Sequence, residues 1–414
     1  MRSLTLWARM SCLPRTTIIE DVVFDDEVQA VILHVRPRKK ARRRCGVCGR
    51  RCPLYDHGDG RRRWRTLDLG CLRCFLEADA PRVSCPRHGV VVAQVPWARH
   101  NVGYTYAFED TVAWLATRLS RSAVEELMRI TWRSVGRIIT RVVTSQRAAS
   151  DPYAGVRRIG VDEVSYKRGH RYLTVVVDHD RGRLLWAAAG RDEATLERFF
   201  AELGEERSRA ITLVTADAAD WIRNVVRRRC PNATICLDPF HVVSWAQDAL
   251  DQVRRAVWNE ARKSGQKAQA KAIKDLRFAL WKNPEDLTER QRQGLAAIAK
   301  TNEPLYRAYL LKEQLRQVFH LPPLAAMRLL RQWLAWASRS QLEPFVELAK
   351  TIRAQRSAIA QSLRYRASNA LVESVNTKIR LLTRIAFGFR SETALISLAL
   401  LSLGGYCPSL PGRP

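Results

Sequence analysis

Hydrophobic residues recur along the chain with two different periods, and the switches between them mark its elements. Apolar and polar residues alternate from Asp21 to Val35 (DVVFDDEVQAVILHV), which predicts a hairpin around Asp25-Asp26. From Ala107 to Leu119 the period lengthens, with Val112, Leu115, Ala116 and Leu119 at helical spacing. Ser122-Ala-Val-Glu125 has the form of a capping box opening a short helix to Ile130. Beyond Thr131, the residues Val135, Ile138, Ile139, Val142 and Val143 form the apolar stripe of a second helix, Trp132 to Gln146. A short helix, a tight turn and a second helix carrying Arg133, Arg137 and Arg141 read as a helix-turn-helix, the alternative being a plain three-helix linker.

The stretch from Arg157 to Ala189 organises the middle of the chain. Three runs rich in Val, Ile, Leu and Tyr are separated by Lys167-Arg168-Gly169 and Asp180-Arg181-Gly182, so a three-strand antiparallel meander is predicted. The first run carries Asp162 and Glu163 side by side. Strand neighbours project to opposite faces, so one carboxylate points into a site while the other faces solvent. A carboxylate in a central strand needs a neutralising partner such as a metal ion; the bland reading makes Asp162 a strand-end turn residue. An amphipathic helix (Asp192 to Leu203), a strand ending on Asp217, a helix to Arg229 and a strand ending on Asp238 follow. Asp217 could cap the next helix, and Asp238-Pro239 suits a helix start. Meander, helix, strand, helix, strand is the order of a ribonuclease-H-like fold, in which the first and fourth strands run side by side and make Asp162 and Asp217 neighbours. Residues 242–366 are helical and basic, with Trp258, Trp281, Trp333 and Trp336 expected in the core and the Lys/Arg face from Arg254 to Lys282 either solvated or on DNA. A last helix aligns Leu371, Val375, Ile379 and Leu382, with Glu373, Asn376 and Arg380 on the other side.

Charge changes this picture most. A formal charge of +29 over 414 residues, spread along the whole length, points to a polyanionic partner. A hydrophobic content of 46% excludes a disordered basic protein. No apolar run is long enough to span a bilayer and Leu4 to Met10 is too short and interrupted for a signal core, so a cytoplasmic protein without a membrane partner is expected. In that compartment ten cysteines argue for metal or reduced thiols. Cys45-x-x-Cys48-Gly49 is a zinc-knuckle pattern, and Cys85-x-x-His88-Gly89 repeats its form. Cys71-x-x-Cys74 has the spacing but no following glycine and lies in a strand-like run. One structural zinc on Cys45, Cys48, Cys85 and His88 is therefore expected, with Cys71 and Cys74 as ordinary strand residues; the bland alternative is that no zinc binds.

Taken together, Gly160-Val-Asp162-Glu163, Thr215-Ala-Asp217, Asp238-Pro-Phe-His241, Ser368-Asn-x-x-Val-Glu373 and Ala386-Phe-Gly-Phe389 resemble the bacterial DDE-type transposases of the ISL-three group. The resemblance covers nearly the whole chain. It implies a catalytic triad of Asp162, Asp217 and Glu373 holding two Mg²⁺ (or Mn²⁺) ions, and an auxiliary Asp238-x-x-His241 motif shared with Mutator-like relatives. The expected fold class is multidomain α+β: a β segment (1–36), a zinc ribbon (37–100), a helix-turn-helix domain (105–148) with Trp132, Arg133, Arg137 and Arg141 on DNA, and a ribonuclease-H-like α/β catalytic domain. That domain comprises 155–241 and 367–404, the latter with Glu373, interrupted by an all-α insertion (242–366), before a tail (405–414). The expected function is Mg-dependent cleavage and strand transfer at the ends of an insertion sequence, with terminal repeats and target as double-stranded DNA partners and a homo-oligomer assembled on the ends. The rival readings are a nuclease or resolvase without strand transfer and a non-catalytic DNA-binding derivative. For His241 the choice lies between handling a phosphate or water and bracing its helix.

Overall fold

The structure, a computed structural model, describes residues 3–167, 169–217, 219–367 and 369–413. Arg168 of the first predicted turn, Ala218, and Ser368 of the last motif lie outside the described residues. The chain folds as two compact units, Met1–Pro152 with Leu382–Pro414, and Tyr153–Leu381.

In the first unit, α1 (Ser3–Met10) precedes the predicted hairpin β1 (Thr17–Asp25) and β2 (Ala30–Pro37). The strands β3 (Leu54–Asp56), β4 (Arg61–Leu69), β5 (Leu72–Asp79), β6 (Arg82–Cys85) and β7 (Gly89–Val92) follow. A four-stranded sheet has the order β1-β2-β5-β4, with β2 and β5 parallel, so pairing crosses the expected boundary between 36 and 37. Strand period explains β5: Cys74, Leu76 and Ala78 point into the core, while Arg73 and Asp79 are exposed. Burial pushes the Cys74 thiol up to about 12, so it is an inert core residue. The strands β3, β6 and β7 form a small antiparallel sheet.

Three helices then pack together: α2 (Tyr106–Ala116), α3 (Arg121–Met128) and α4 (Trp132–Ala149). Thr105, Ser120 and Thr131 cap them, each side chain accepting from a backbone N–H three residues on. The predicted capping box at Ser122 does not form: Ser120 takes the cap, accepting from the Ala123 N–H, and Ser122 falls within the first turn. Between α3 and α4, Arg129 adopts a left-handed φ of 50°, and its guanidinium donates to the Cys71 carbonyl at 3.0 Å.

The least expected contact lies inside this bundle. Glu109, in the first turn of α2, is fully buried. It accepts from Arg99 Nη1 at 2.5 Å and from Arg141 Nε at 2.6 Å. A buried carboxylate demands such partners. Arg141, expected on DNA, is therefore committed to Glu109, whereas Arg133 and Arg137 are exposed.

The second unit opens with the meander β8 (Arg158–Lys167), β9 (Arg171–Asp178) and β10 (Arg183–Ala189). Asp178 fixes the second turn by accepting the N–H groups of Asp180 and Arg181 at 3.0 and 3.2 Å. Next come α5 (Glu193–Leu203), capped by Asp192, α6 (Glu205–Arg209), β11 (Leu213–Ala216), α7 (Asp220–Arg229) and β12 (Thr234–Leu237). The sheet order is β10-β9-β8-β11-β12, with β8, β11 and β12 mutually parallel. This is the ribonuclease-H-like arrangement, and β8 and β11 are neighbours as expected.

A long helix α8 (Pro239–Lys263) leads into an all-α region. It contains α9 (Lys267–Asp275), α10 (Arg277–Trp281), α11 (Glu289–Thr301), α12 (Glu303–Val318), α13 (Pro323–Ser338), α14 (Glu343–Ala354) and α15 (Arg356–Tyr365). Its core is one apolar cluster centred on residues such as Leu250, Leu311, Trp333 and Phe345. Trp333 is fully buried, with Nε1 donating to the Leu311 carbonyl at 2.8 Å. Trp258 and Trp336 are partly buried against the same core, but Trp281 is not part of it. The region folds back on the sheet, where the Ser362 hydroxyl donates to the Leu237 carbonyl of β12 at 2.5 Å.

Two helices close the chain: α16 (Ala370–Ile385) and α17 (Glu392–Leu403). The sequence grouped 367–404 with the catalytic domain. In the structure α17 packs on α4 of the first unit, the Thr140 hydroxyl donating to that of Ser397 at 3.3 Å. Among the described residues, no helix is long and apolar enough to cross a membrane.

Arg141→Ala should lower the unfolding midpoint of the protein, at a cost of roughly 1–3 kcal/mol, because Glu109 stays buried with one partner fewer. Thermal melting against Arg133→Ala, an exposed control on the same helix, checks this; equal midpoints would remove the buried pair from the stability of the bundle.

Candidate active centre and metal sites

Three parallel strands deliver carboxylates to one place. β8 carries Asp162, Asp217 follows the last residue of β11, and Asp238 follows β12 at the head of α8. Asp217 is not the cap of α7, whose N-cap position is Ala219. Pro239 starts α8 and puts His241 in its first turn, with Nδ1 at 3.4 Å from Asp217 Oδ1 and Nε2 at 3.9 Å from Asp238 Oδ2. The histidine thus lies between the two aspartates.

α16 completes the cluster by a close approach to β8. A side chain at Gly160 would place its Cβ 2.5 Å from Val372 Cγ2 and 2.9 Å from His179 Nε2, so only glycine lets this helix sit against the strand. The buried stripe of α16 is Val372, Val375, Asn376 and Ile379, turned by about one position from the predicted one. Asn376 therefore points inward, and its Nδ2 donates to Asp162 Oδ2 at 2.8 Å. Glu373, one turn earlier, is half-buried and feels Asp238 and His241. Asn369 holds the other side: its backbone N–H donates to Asp238 Oδ1 at 3.2 Å and its side chain accepts from the Thr215 hydroxyl. The same hydroxyl meets His179 Nε2 at 2.7 Å. The sequence reading quoted Asn369 and Asn376 without giving them a part. Their spacing from Glu373, four before and three after on one helix, was the available signal.

Glu163 does not face solvent as expected. On the opposite face of β8 it pairs with Arg191. Asp162, Asp217, Asp238, His241 and Glu373 are brought together, and Glu163 is excluded from them.

Burial pushes the Asp162 carboxyl up to about 6, against the Glu163 N–H and His241, while Asp217 and Asp238 push it further. Burial likewise raises Asp238 and Glu373. Asp238 Oδ2 is buried without a hydrogen-bond partner. Crowded carboxylates that raise one another, one oxygen left over and only a histidine among them, fit a hard divalent cation, which prefers such oxygen ligands.

A second cluster stands in the first unit. Cys45, Cys48, Cys85 and His88 place their ligand atoms within 4.8 Å of one another. Cys48 Sγ lies 3.8 Å from Cys85 Sγ, and His88 Nδ1 lies 3.6 and 3.5 Å from the sulfurs of Cys45 and Cys85. Tetrahedral zinc with Zn–S bonds of about 2.3 Å and a Zn–N bond of about 2.0 Å requires S–S edges of about 3.8 Å and S–N edges of about 3.5 Å. The four residues fit a structural zinc. Gly49 and Gly89 take φ of 68° and 65°, the left-handed turns that close each knuckle. Backbone N–H groups, that of Arg87 foremost, pull the Cys85 thiol down to about 6, toward the thiolate zinc needs. Cys71 and Cys74 lie outside this cluster. Cys52, passed over in the sequence, is buried beside it with its thiol on the Arg50 carbonyl at 3.4 Å.

On α4, Trp132 is exposed and stacks under the Arg121 guanidinium at 4.3 Å. Arg133, Arg137 and Arg141 line an open groove together with Val47, His100, Arg390 and Ser391.

Comparison with known proteins agrees with each part. The family described as "Transposase" matches residues 159–399. "Helix-turn-helix domain of transposase family ISL3" matches 93–143, and "zinc-finger of transposase IS204/IS1001/IS1096/IS1165" matches 41–88. The chain is 54% identical over its full length to the transposase for insertion sequence element IS1557 of Mycobacterium tuberculosis, covering 98% of that protein. It is 25% identical, over 89% of its length and 90% of the relative's, to the transposase for insertion sequence element IS1001 of Bordetella parapertussis. A ribonuclease-H-like domain with carboxylates at the ends of parallel strands, a zinc knuckle and a helix-turn-helix ahead of it, and these likenesses along its whole length make the chain a member of the ISL3 family of DDE transposases.

Proposed function

We propose that this transposase binds the terminal repeats of its element through α4 and the zinc-knuckle region, and cleaves and joins DNA strands at one centre, where Asp162, Asp217 and Glu373 are the metal ligands. The observation that carries this is the convergence of the three carboxylates, with Asp238 and His241, from β8, β11, β12, α8 and α16. Two Mg²⁺ or Mn²⁺ ions held there would activate the attacking oxygen and stabilise the leaving one. The chain's own groups do the rest. Asn376 aims Asp162, leaving Oδ1 on the Glu163 N–H at 2.7 Å. Asn369 fixes Asp238. His241, beside Asp217 and 28% exposed, is placed to hold a phosphate oxygen or orient water. Each chain supplies one such centre and an element has two ends, so the working form is a homo-oligomer assembled on paired ends. Light scattering with and without end DNA tests that assembly.

Asp162→Ala, Asp217→Ala and Glu373→Ala should each abolish cleavage in Mg²⁺ with end binding nearly intact. His241→Ala should slow single-turnover cleavage severely without shifting the melting midpoint. A gel assay offering a pre-nicked end and a target duplex reads both steps. Wild-type cleavage by a carboxylate variant would remove that residue from the centre. Joined product identifies strand transfer, whereas cleavage alone would reduce the activity to a nuclease.

One zinc per chain is expected in metal analysis of the purified protein. Cys85→Ser should lose it and Cys71→Ser should keep it; the reverse pattern would reassign the second ligand pair.

Arg133→Ala and Arg137→Ala should each weaken binding to the element's ends by about 1–3 kcal/mol while barely affecting random duplex. Equal losses on both DNAs, in titrations at matched salt, would make them phosphate contacts.

A further inference from the structure

The all-α region carries a surface that the reaction centre and the helix-turn-helix leave unused. Helices α9 and α10 are joined at Leu276 with helical hydrogen bonds running through the junction: Leu276 N–H reaches the Ala272 carbonyl and Leu280 N–H the Leu276 carbonyl, both at 3.1 Å. Ala270, Ile273 and Leu280 face the core. Lys267, Lys271, Lys274 and Phe278 recur at i, i+4, i+7 and i+11 on the other side, and all four are exposed.

Phe278 is 64% exposed. Its ring meets Trp281 edge to face at 6.0 Å, and the Arg277 guanidinium lies 4.3 Å over Trp281 and 5.7 Å over Phe278. Several arginines elsewhere on this unit are matched by acid, as Arg228 and Arg229 are by Glu193 and Glu197. No such pair involves Lys267, Lys271, Lys274 or Arg277 among the described residues. An exposed aromatic at the end of a line of three exposed lysines does not suit an apolar protein partner. Duplex phosphates alone would use the lysines and leave the ring unexplained.

We infer that the stripe Lys267–Lys271–Lys274–Phe278, with Arg277 and Trp281, is a binding site for unpaired nucleotides, the lysines following the strand's phosphates and the exposed ring stacking on a base. Base–aromatic stacking combined with a basic track is the physics of single-strand binding, and it tolerates any sequence because every base has a face. The inference rests on the transposase reading for its source of ligand, since strand cleavage exposes unpaired ends, but the site is defined without reference to the carboxylates.

The test uses the full chain and two labelled DNA probes of arbitrary sequence: a blunt duplex, and the same duplex with a single-stranded extension of about ten nucleotides carrying 5-iodouracil, enough to cover one such site. Wild-type protein should prefer the extended probe. Phe278→Ala should erase that preference, with roughly a 5- to 100-fold loss on the extended probe and none on the blunt one. Phe278→Tyr should retain it, and Lys271→Ala should weaken both probes. Photo-crosslinking of the wild type should join the extension to the peptide containing residues 277–281. An unchanged preference in Phe278→Ala, no preference in the wild type, or crosslinks confined to other segments would each overturn the site. Binding and crosslinking are read without divalent metal, so these outcomes do not depend on cleavage; a protein that binds as described but never joins strands would instead count against the proposed reaction.

Discussion

Crowding of negative charge where Asp162 within β8 meets the carboxyl ends of β11 and β12 is the constraint on which the rest of the second unit depends. Burial raises the proton affinity of Asp162, Asp238 and Glu373, and the like charges beside them add to the effect. The surroundings answer with oriented neutral groups more than with cations. Asn376, the Glu163 N–H and the Asn369 N–H each spend a hydrogen bond on one carboxylate oxygen. Glu163 on the far face has its own arginine. The amide donors keep Asp162 and Asp238 aimed, and in the proposed reaction a small hard cation would supply the positive charge that the cluster lacks.

Elsewhere the balance is reversed. With an excess of 29 positive charges, many basic residues cannot find an acid within the chain. The useful distinction is between arginines that the fold consumes and those it leaves over. Arg99 and Arg141 are consumed by Glu109, and Arg129 by the Cys71 carbonyl and Asp68. Arg133 and Arg137, on the same helix as Arg141, are left over. Helical position alone does not separate these groups; a buried carboxylate on a different helix does.

That is also why some of this structure was legible in the sequence and some was not. The meander, both knuckles and the parallel neighbours β8 and β11 follow from local signals: turn residues, Cys-x-x-ligand-Gly spacing, and strand–helix order. Glu373 was reached only through resemblance, since a glutamate opposite an apolar stripe looks solvated. Asn376 was misplaced because an amide inside a buried stripe is read as polar and outward, and its partner Asp162 lies in a strand made more than half the catalytic unit earlier. The pairing of Arg141 with Glu109 was not foreseen because Glu109 gives no sign of burial in sequence. Trp281 failed in the opposite direction, an aromatic taken for core that is half-buried outside it.

The pairing of Asp162 with Asn376 also sets an order of events in time. Its two halves are separated by the entire helical region, and closing so long a loop is slow compared with forming the local meander or helix pairs. A ribosome delivers β8 first and α16 among the last elements, after every strand of the sheet already exists. The carboxylate cluster is thus incomplete on any nascent chain, however well its earlier parts have folded. The first unit shares the dependence, since α17 reaches α4 later still. A chain stalled between β12 and α16 therefore carries a zinc knuckle and an open sheet but an incomplete carboxylate cluster.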